Sequence, residues 1–246
     1  LLRASAVKLS RPLLLAVMED LVGRRMRDGA GWIPRSPADL ETFATAFSLA
    51  SRHAGRSALD LDRSDADRLR DAGVTWSLAR WAVDDGARAV LLLRAGEVLD
   101  LSAQAEIVDR GYHRGDLRQR QAVLRALPLL PHSERFLAVA LDAARSGMPG
   151  PGHGGHATGG PPDPLFEAIA CENPYPAAHF PALNFNQLVV QALATGVALD
   201  RVEGLGARVT PDLMRMAKEY AAERRAAGRS VPADLTALTV PTRSAA

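Results

Sequence analysis

The residues of this chain best equipped for chemistry lie in one short stretch. It reads Glu172-Asn173-Pro174-Tyr175-Pro176, then His179-Phe180-Pro181, then Asn184-Phe185-Asn186-Gln187. Glu172, Tyr175 and His179 can give or take protons, which suits them to general acid–base work. Asn173, Asn184, Asn186, Gln187 and Gln191 both donate and accept hydrogen bonds. Pro174, Pro176 and Pro181 stiffen the chain, because each fixes its own φ and pushes its predecessor out of the α region. Asn184, Gln187 and Gln191 are spaced i, i+3, i+7, which predicts a shared helix face. As a catalytic site, this stretch would use Glu172 or His179 as base and Tyr175 as acid. Asn173 and the amides of 184, 186, 187 and 191 would bind and orient a substrate.

Every one of these residues also has a purely structural use. Asn173 can end one helix, and Asn184 or Asn186 can satisfy free amides at the start of the next. Tyr175 can pack its ring and hydrogen-bond its hydroxyl. Cys171, the only cysteine, reads as a buried apolar residue rather than a nucleophile. Other motifs are weak. Gly150, Gly152 and Gly155 match GxGxxG in letters, but no strand precedes them and no helix opens on them. His153 and His156 could ligate a metal, yet a flexible loop would have to be ordered to do so and no carboxylate is near in sequence. No metal and no cofactor is therefore expected.

The elements that must position the stretch are helices. Ala, Leu and Arg dominate, β-branched residues are scattered, and only 5% of residues are aromatic. Apolar residues recur at helical spacing from about 11 to 27, with Ser10 as cap and Gly29 and Gly31 as stop. Ser36-Pro37 opens a second helix whose buried face is Leu40, Phe43, Ala44 and Phe47. A short helix follows Ser64. The most apolar helix, from about 76 to 94, is expected at the centre. Ser102 and Asp116 begin two more, Asp163-Pro164 caps a short one, and residues 182–195 form another that Gly196 ends. Thr210-Pro211 caps a last long helix. Together they predict an all-α chain of about ten helices, an irregular bundle or an α-solenoid-like array.

At 246 residues, 47% hydrophobic and 24% charged, the composition is that of an ordinary globular domain. One domain over 1–246 is expected. Within it, 146–162 is a Gly/Pro/His-rich flexible insertion and 239–246 a loose tail. The net charge of +2 and the lack of aromatics among the basic clusters argue against nucleic acid as partner. No apolar run is long enough to span a bilayer, so no membrane insertion is expected. The chain starts at Leu rather than Met, consistent with a missing native N-terminus.

The same stretch carries a family resemblance. Phe166-Glu167-Ala168, Asn173-Pro174-Tyr175-Pro176, Asn186-Gln187-Leu188-Val189, Ala192-Leu193 and Gly196 resemble the EboA family. So do Gly204-Leu205, Pro211-Asp212-Leu213, Met216-Ala217, Tyr220-Ala221, Glu223-Arg224 and Ala227-Gly228-Arg229. Upstream, Leu127-Pro128-Leu129-Leu130-Pro131 and Glu134-Arg135-Phe136 also fit. The insertion before the Asn-Pro-Tyr-Pro segment departs from the family pattern. The resemblance implies a bacterial cytoplasmic protein of secondary metabolism. Such proteins are encoded beside a UbiA-type prenyltransferase, a TatD-like hydrolase, a sugar-phosphate isomerase-like protein and a dehydroquinate-synthase-like protein. It supplies no catalytic residues.

Three functions remain open on sequence alone. The first is a helical accessory protein that binds a small apolar intermediate or partner enzymes of its pathway. The second is an enzyme cyclising, isomerising or dehydrating a natural-product precursor at the Asn-Pro-Tyr-Pro segment. The third is an assembly scaffold. The oligomeric state is not determined by the sequence.

Overall fold

A computed structural model describes residues 9–27, 31, 40–146, 162–235 and 238. Twelve α-helices and no strand occur among the described residues; Ala58 and Ala82 form an isolated antiparallel bridge. The protein is therefore all-α and multi-helical, as its composition predicts. The insertion from 147 to 161, with His153 and His156, the Ser36-Pro37 helix start, and the tail from 239 lie outside the described residues. The chain divides into two compact units, Leu1–Val139 and Ala140–Ala246.

The first unit contains α1 (Arg11–Gly23), α2 (Leu40–Ala54), α3 (Arg63–Asp71), α4 (Val83–Val98), α5 (Leu101–His113) and α6 (Leu117–Ala126). Two 3-10 turns, Leu127–Leu129 and Ser133–Phe136, lead into α7 (Leu137–Ala144), within which the division falls. α4 packs against α1, α2, α5 and α6. All its residues from Val83 to Leu93 are buried. The centre is thus where the run Ala89-Val90-Leu91-Leu92-Leu93 predicts, since a helix apolar around its circumference has no face to give to water.

Its start is not where the apolar run predicts. Residues 76–82 are not helical. Leu78 and Trp81 are buried, but the backbone is tied sideways: Leu59 N–H donates to the Trp81 carbonyl at 2.8 Å and Val83 N–H to the Ser57 carbonyl at 2.9 Å. Short apolar runs do not distinguish a buried helix from a buried extended segment. Several caps also shift. Ser10 is extended but its side chain caps nothing. Asp62 and Asp65 form the capping box of α3, and Asp100, rather than Ser102, accepts the first amides of α5. Asp116 caps α6 as its sequence predicts.

Inside this apolar centre lies a cluster of charges. Asp84, Asp85 and Arg88 of α4 are all buried. Arg88 donates to Asp84 Oδ2 at 2.8 Å, to Ser51 Oγ of α2 at 3.0 Å and to the Phe47 carbonyl at 3.1 Å. Arg118 of α6 reaches Asp84 through both Nη2 (2.6 Å) and Nε (3.0 Å), and Ser51 donates to it at 2.6 Å. Arg125 pairs with Asp85, whose other contact is the Ala82 amide at 2.8 Å. Burial alone would push the Asp84 carboxyl up. The hydrogen bonds from Arg118, Ser51 and Arg88 outweigh it and bring the pKa down to about 2. Burial does raise Asp85, against the pull of Arg125.

The second unit contains α8 (Pro164–Ala170), α9 (Tyr175–His179), α10 (Ala182–Thr195), α11 (Leu205–Arg208) and α12 (Pro211–Ala226). α10 buries Phe185, Leu188, Val189, Ala192 and Leu193 and packs on α12 and on the 3-10 turn Leu199–Arg201. Asp163 Oδ1 accepts from the Leu165 and Phe166 amides, and Thr210 Oγ1 from Leu213. Gly196 ends α10 at φ +74°. All three follow the sequence.

Three outcomes are expected. Asp84→Ala leaves Arg88 buried without its carboxylate and destabilises the first unit by about 3–5 kcal/mol in urea unfolding. Because the folded-state pKa of Asp84 lies below its ordinary value, its contribution is complete above pH 3.8 and is lost as pH falls toward about 2. Across that window the wild type loses about 2 kcal/mol more than Asp84→Asn does. Gly86 in turn sets the approach of α1. A Cβ there would stand 2.8 Å from Val22 Cγ2, and valine's rotamer is stiff. Gly86→Ala is expected to cost about 1–3 kcal/mol, most of it recovered in the double variant with Val22→Ala.

Candidate functional site

The polar stretch around α9 is shaped by one arginine. Glu172 follows α8 with a left-handed φ of +46°, a conformation that few non-glycine residues hold without support. Its amide donates to the Arg201 carbonyl at 2.8 Å. Its carboxylate receives Arg201 Nε at 2.7 Å and Nη2 at 3.0 Å, a bidentate pair. Arg201 Nη2 also reaches Glu167 Oε1 at 2.7 Å. The hydrogen bond to Glu172 heads the causes that raise the Arg201 pKa above its already high ordinary value.

Asn173 is buried and turns the chain. Its Nδ2 donates to the Ala168 carbonyl at 3.0 Å, and its Oδ1 accepts from the Tyr175 amide at 3.0 Å, so it closes α8 and opens α9. Tyr175 is buried. Its ring lies 4.5 Å from that of His179 and 6.4 Å, edge-on, from that of Phe180. Arg208 donates to the Ala177 and Phe180 carbonyls at 2.8 and 2.7 Å and so satisfies the end of α9.

The structure links Asn173 to Tyr175 and Tyr175 to His179, while the Glu172 carboxylate is taken by Arg201; the amides of α10 do not share one environment. Asn186 and Gln191 are buried, Asn184 is half-buried and Gln187 is exposed. The shared face predicted for 184, 187 and 191 is thus not a face in a common environment. Gln191 Nε2 donates to the Ser146 carbonyl at 2.9 Å, while its Oε1 has no hydrogen-bond partner among the described residues. Cys171 is buried. Glu203, which sequence reasoning passed over, is half-buried, and burial together with the Glu172 charge raises its pKa.

A second candidate lies in the first unit, where α2 packs on α5. It is a groove of about 180 Å³, comparable with the roughly 150 Å³ apolar cavity that takes up benzene. α2 supplies Leu40, Phe43, Ala44, Phe47 and Ser48, one helix stripe. α5 supplies Ile107, Arg110 and Gly111, and the connection to α6 adds Arg114 and Gly115. The Phe43 and Phe47 rings stack at 5.4 Å. Gly111 lets Val123 and Phe47 pack closely on α5: a Cβ there would stand 3.0 Å from Val123 Cγ2 and 3.5 Å from Phe47 Cε1. Leu40 and Ala44, expected in a buried face, are only half-buried because they wall this groove. The signal in the sequence was an aromatic stripe facing a helix with glycines at 111 and 115.

Among the described residues no three His, Cys, Asp or Glu side chains gather as a metal site, and no helix is long and apolar enough to cross a membrane. The chain belongs to the EboA family: the model of that family, described as metabolite traffic protein EboA, matches residues 33–239. No curated protein and no solved structure matches it.

Arg201→Ala tests the architecture around α9. It leaves two carboxylates and a left-handed Glu172 without their common partner. The variant is expected to destabilise the second unit by about 1–3 kcal/mol, read as loss of protection of the 171–175 amides in hydrogen exchange.

Proposed function

We propose that this protein is a non-catalytic accessory protein of a small-metabolite pathway, one that binds a small, largely apolar intermediate in the groove between α2 and α5. The observation that carries the reading is the groove itself: Leu40, Phe43, Ala44 and Phe47 of α2 form an apolar wall facing Ile107 and Gly111 of α5. Pockets that hold small molecules are concave and mostly apolar, with a few polar groups at fixed places. The family's description as a metabolite traffic protein supports the same role. At this size the groove takes one ring or a short branched chain, and a longer ligand would extend into solvent. Secondary metabolism as the setting, the cytoplasm as the compartment and pathway enzymes as further partners belong to this proposal.

Under this reading the residues first singled out, Glu172, Asn173, Tyr175, His179 and Asn186, fix the second unit rather than react. Acid–base chemistry at that segment is the second reading. It is favoured by one observation, the raised pKa of half-buried Glu203 beside Glu172. Loss of product formation on Glu203→Gln, with the fold intact, would mark it.

The test of the first reading uses a neutral naphthylamine dye that brightens in apolar surroundings. The wild type is expected to bind it, and Ala44→Trp, which fills the groove from its α2 wall, to abolish binding with unchanged helicity and unfolding midpoint. Equal dye binding by both proteins would refute the groove as the site.

A further inference from the structure

The groove is not electrically neutral. Its rim carries Arg110 and Arg114, with Ser48 and Gln119 as the other polar groups, and no acidic side chain among the described residues lines it. The arginines of α5, α6 and the turn between them can be accounted for one by one. Arg118 is held by Asp84 and Arg125 by Asp85. Arg120 lies over the Tyr112 ring at 4.8 Å. Arg110 and Arg114 have no ion-pair partner among the described residues. Among the nearby acids, Asp109 faces His113 at 3.4 Å, Asp116 Oδ1 caps α6 through the Gln119 amide at 2.9 Å, and Glu106, one turn before Arg110, is exposed to water.

Arg114 is exposed, and water solvates it. Arg110 is half-buried at the apolar wall. Its guanidinium nitrogens stay open to water beside the apolar wall, and the C-terminal end of α5 gives both cations some favourable field. A guanidinium recognises carboxylate or phosphate through paired N–H donors.

We infer that the groove binds an amphiphilic anion, whose apolar body lies on Leu40, Phe43 and Phe47 and whose carboxylate or phosphate is taken by Arg110, with Arg114 at the mouth. This rests on the groove reading above and adds to it the charge of the ligand and its orientation, head toward α5 and tail along α2.

The experiment displaces the neutral dye from the full chain with octanoate, octyl phosphate and 1-octanol. The two anions are expected to compete at about tenfold lower concentration than the alcohol, the size of one charge-assisted hydrogen bond. The advantage should shrink with added salt. Measured against each variant's own dye affinity, Arg110→Gln should lose the anion advantage over 1-octanol, and Arg110→Lys should recover part of it. The order of octanoate and octyl phosphate tells carboxylate from phosphate ligands. Equal competition by anions and alcohol in a wild type that binds dye overturns the inference and leaves the groove reading standing. An anion advantage that survives Arg110→Gln also overturns it. Dye binding that survives Ala44→Trp removes the groove reading beneath it.

Discussion

Asp84 sits at full burial in the middle of an apolar helix and must be neutralised where it stands. That single requirement fixes much of the first unit. Arg88, one turn along α4, supplies one donor, but the remaining acceptor capacity is filled from outside the helix, by Ser51 of α2 and by Arg118 of α6. Asp85 repeats the pattern with Arg125. α2 and α6 can therefore meet α4 in one register only, because a slip by one residue would strand a buried charge. The net stabilisation from such pairs is small, since desolvation offsets the attraction, while breaking one is costly. Their contribution here is to the uniqueness of packing, with the apolar contacts of Val90, Leu91 and Leu92 supplying the bulk of the driving force.

The second unit meets an analogous requirement with less burial. Arg201, on a short 3-10 turn, gathers Glu167 and Glu172 from either side of the break after α8. Its own carbonyl holds the Glu172 amide. The prolines of the following segment remove backbone donors, and Asn173 and Arg208 satisfy what remains. The density of polar side chains here reflects a chain that must reverse between short helices, α8 and α9, which have more ends than middle. Each end leaves amides and carbonyls that something must satisfy.

What the sequence disclosed follows from the range of the forces involved. Asp116, Asp163, Thr210 and Gly196 act on their own neighbours, within three residues, and their roles could be read directly. The centrality of α4 was equally readable from its apolar run. Its beginning was not, because residues 76–82 are apolar yet held by hydrogen bonds to residues 57–59, which a periodicity cannot reveal. The Asp84 cluster was invisible for a stronger version of the same reason. Asp84, Asp85 and Arg88 look like an ordinary solvated turn, and only partners 34 to 40 residues away in sequence, Ser51, Arg118 and Arg125, identify them as core. At α9 the residue types were noticed and their partners were not: Glu172 meets Arg201 across 29 positions. The stripe Leu40, Phe43, Ala44 and Phe47 reads as a buried helix face, and only the packing of α2 on α5 makes part of it the wall of a groove.

Phe47 belongs to two structures at once. One face of its neighbourhood is groove, and on the other its carbonyl accepts from Arg88 while the Arg88 guanidinium sits 5.5 Å from its ring. Any change at this position alters the wall and the keystone together, so natural variation in what the groove accepts has little room there. Ala44 is half-buried, and Ser48 and Arg114 are exposed. Under the proposed function, diversity of cargo across relatives of this chain accumulates at those rim positions while the aromatic floor stays nearly constant, which makes the rim, rather than the floor, the place to read one relative's preference from another's.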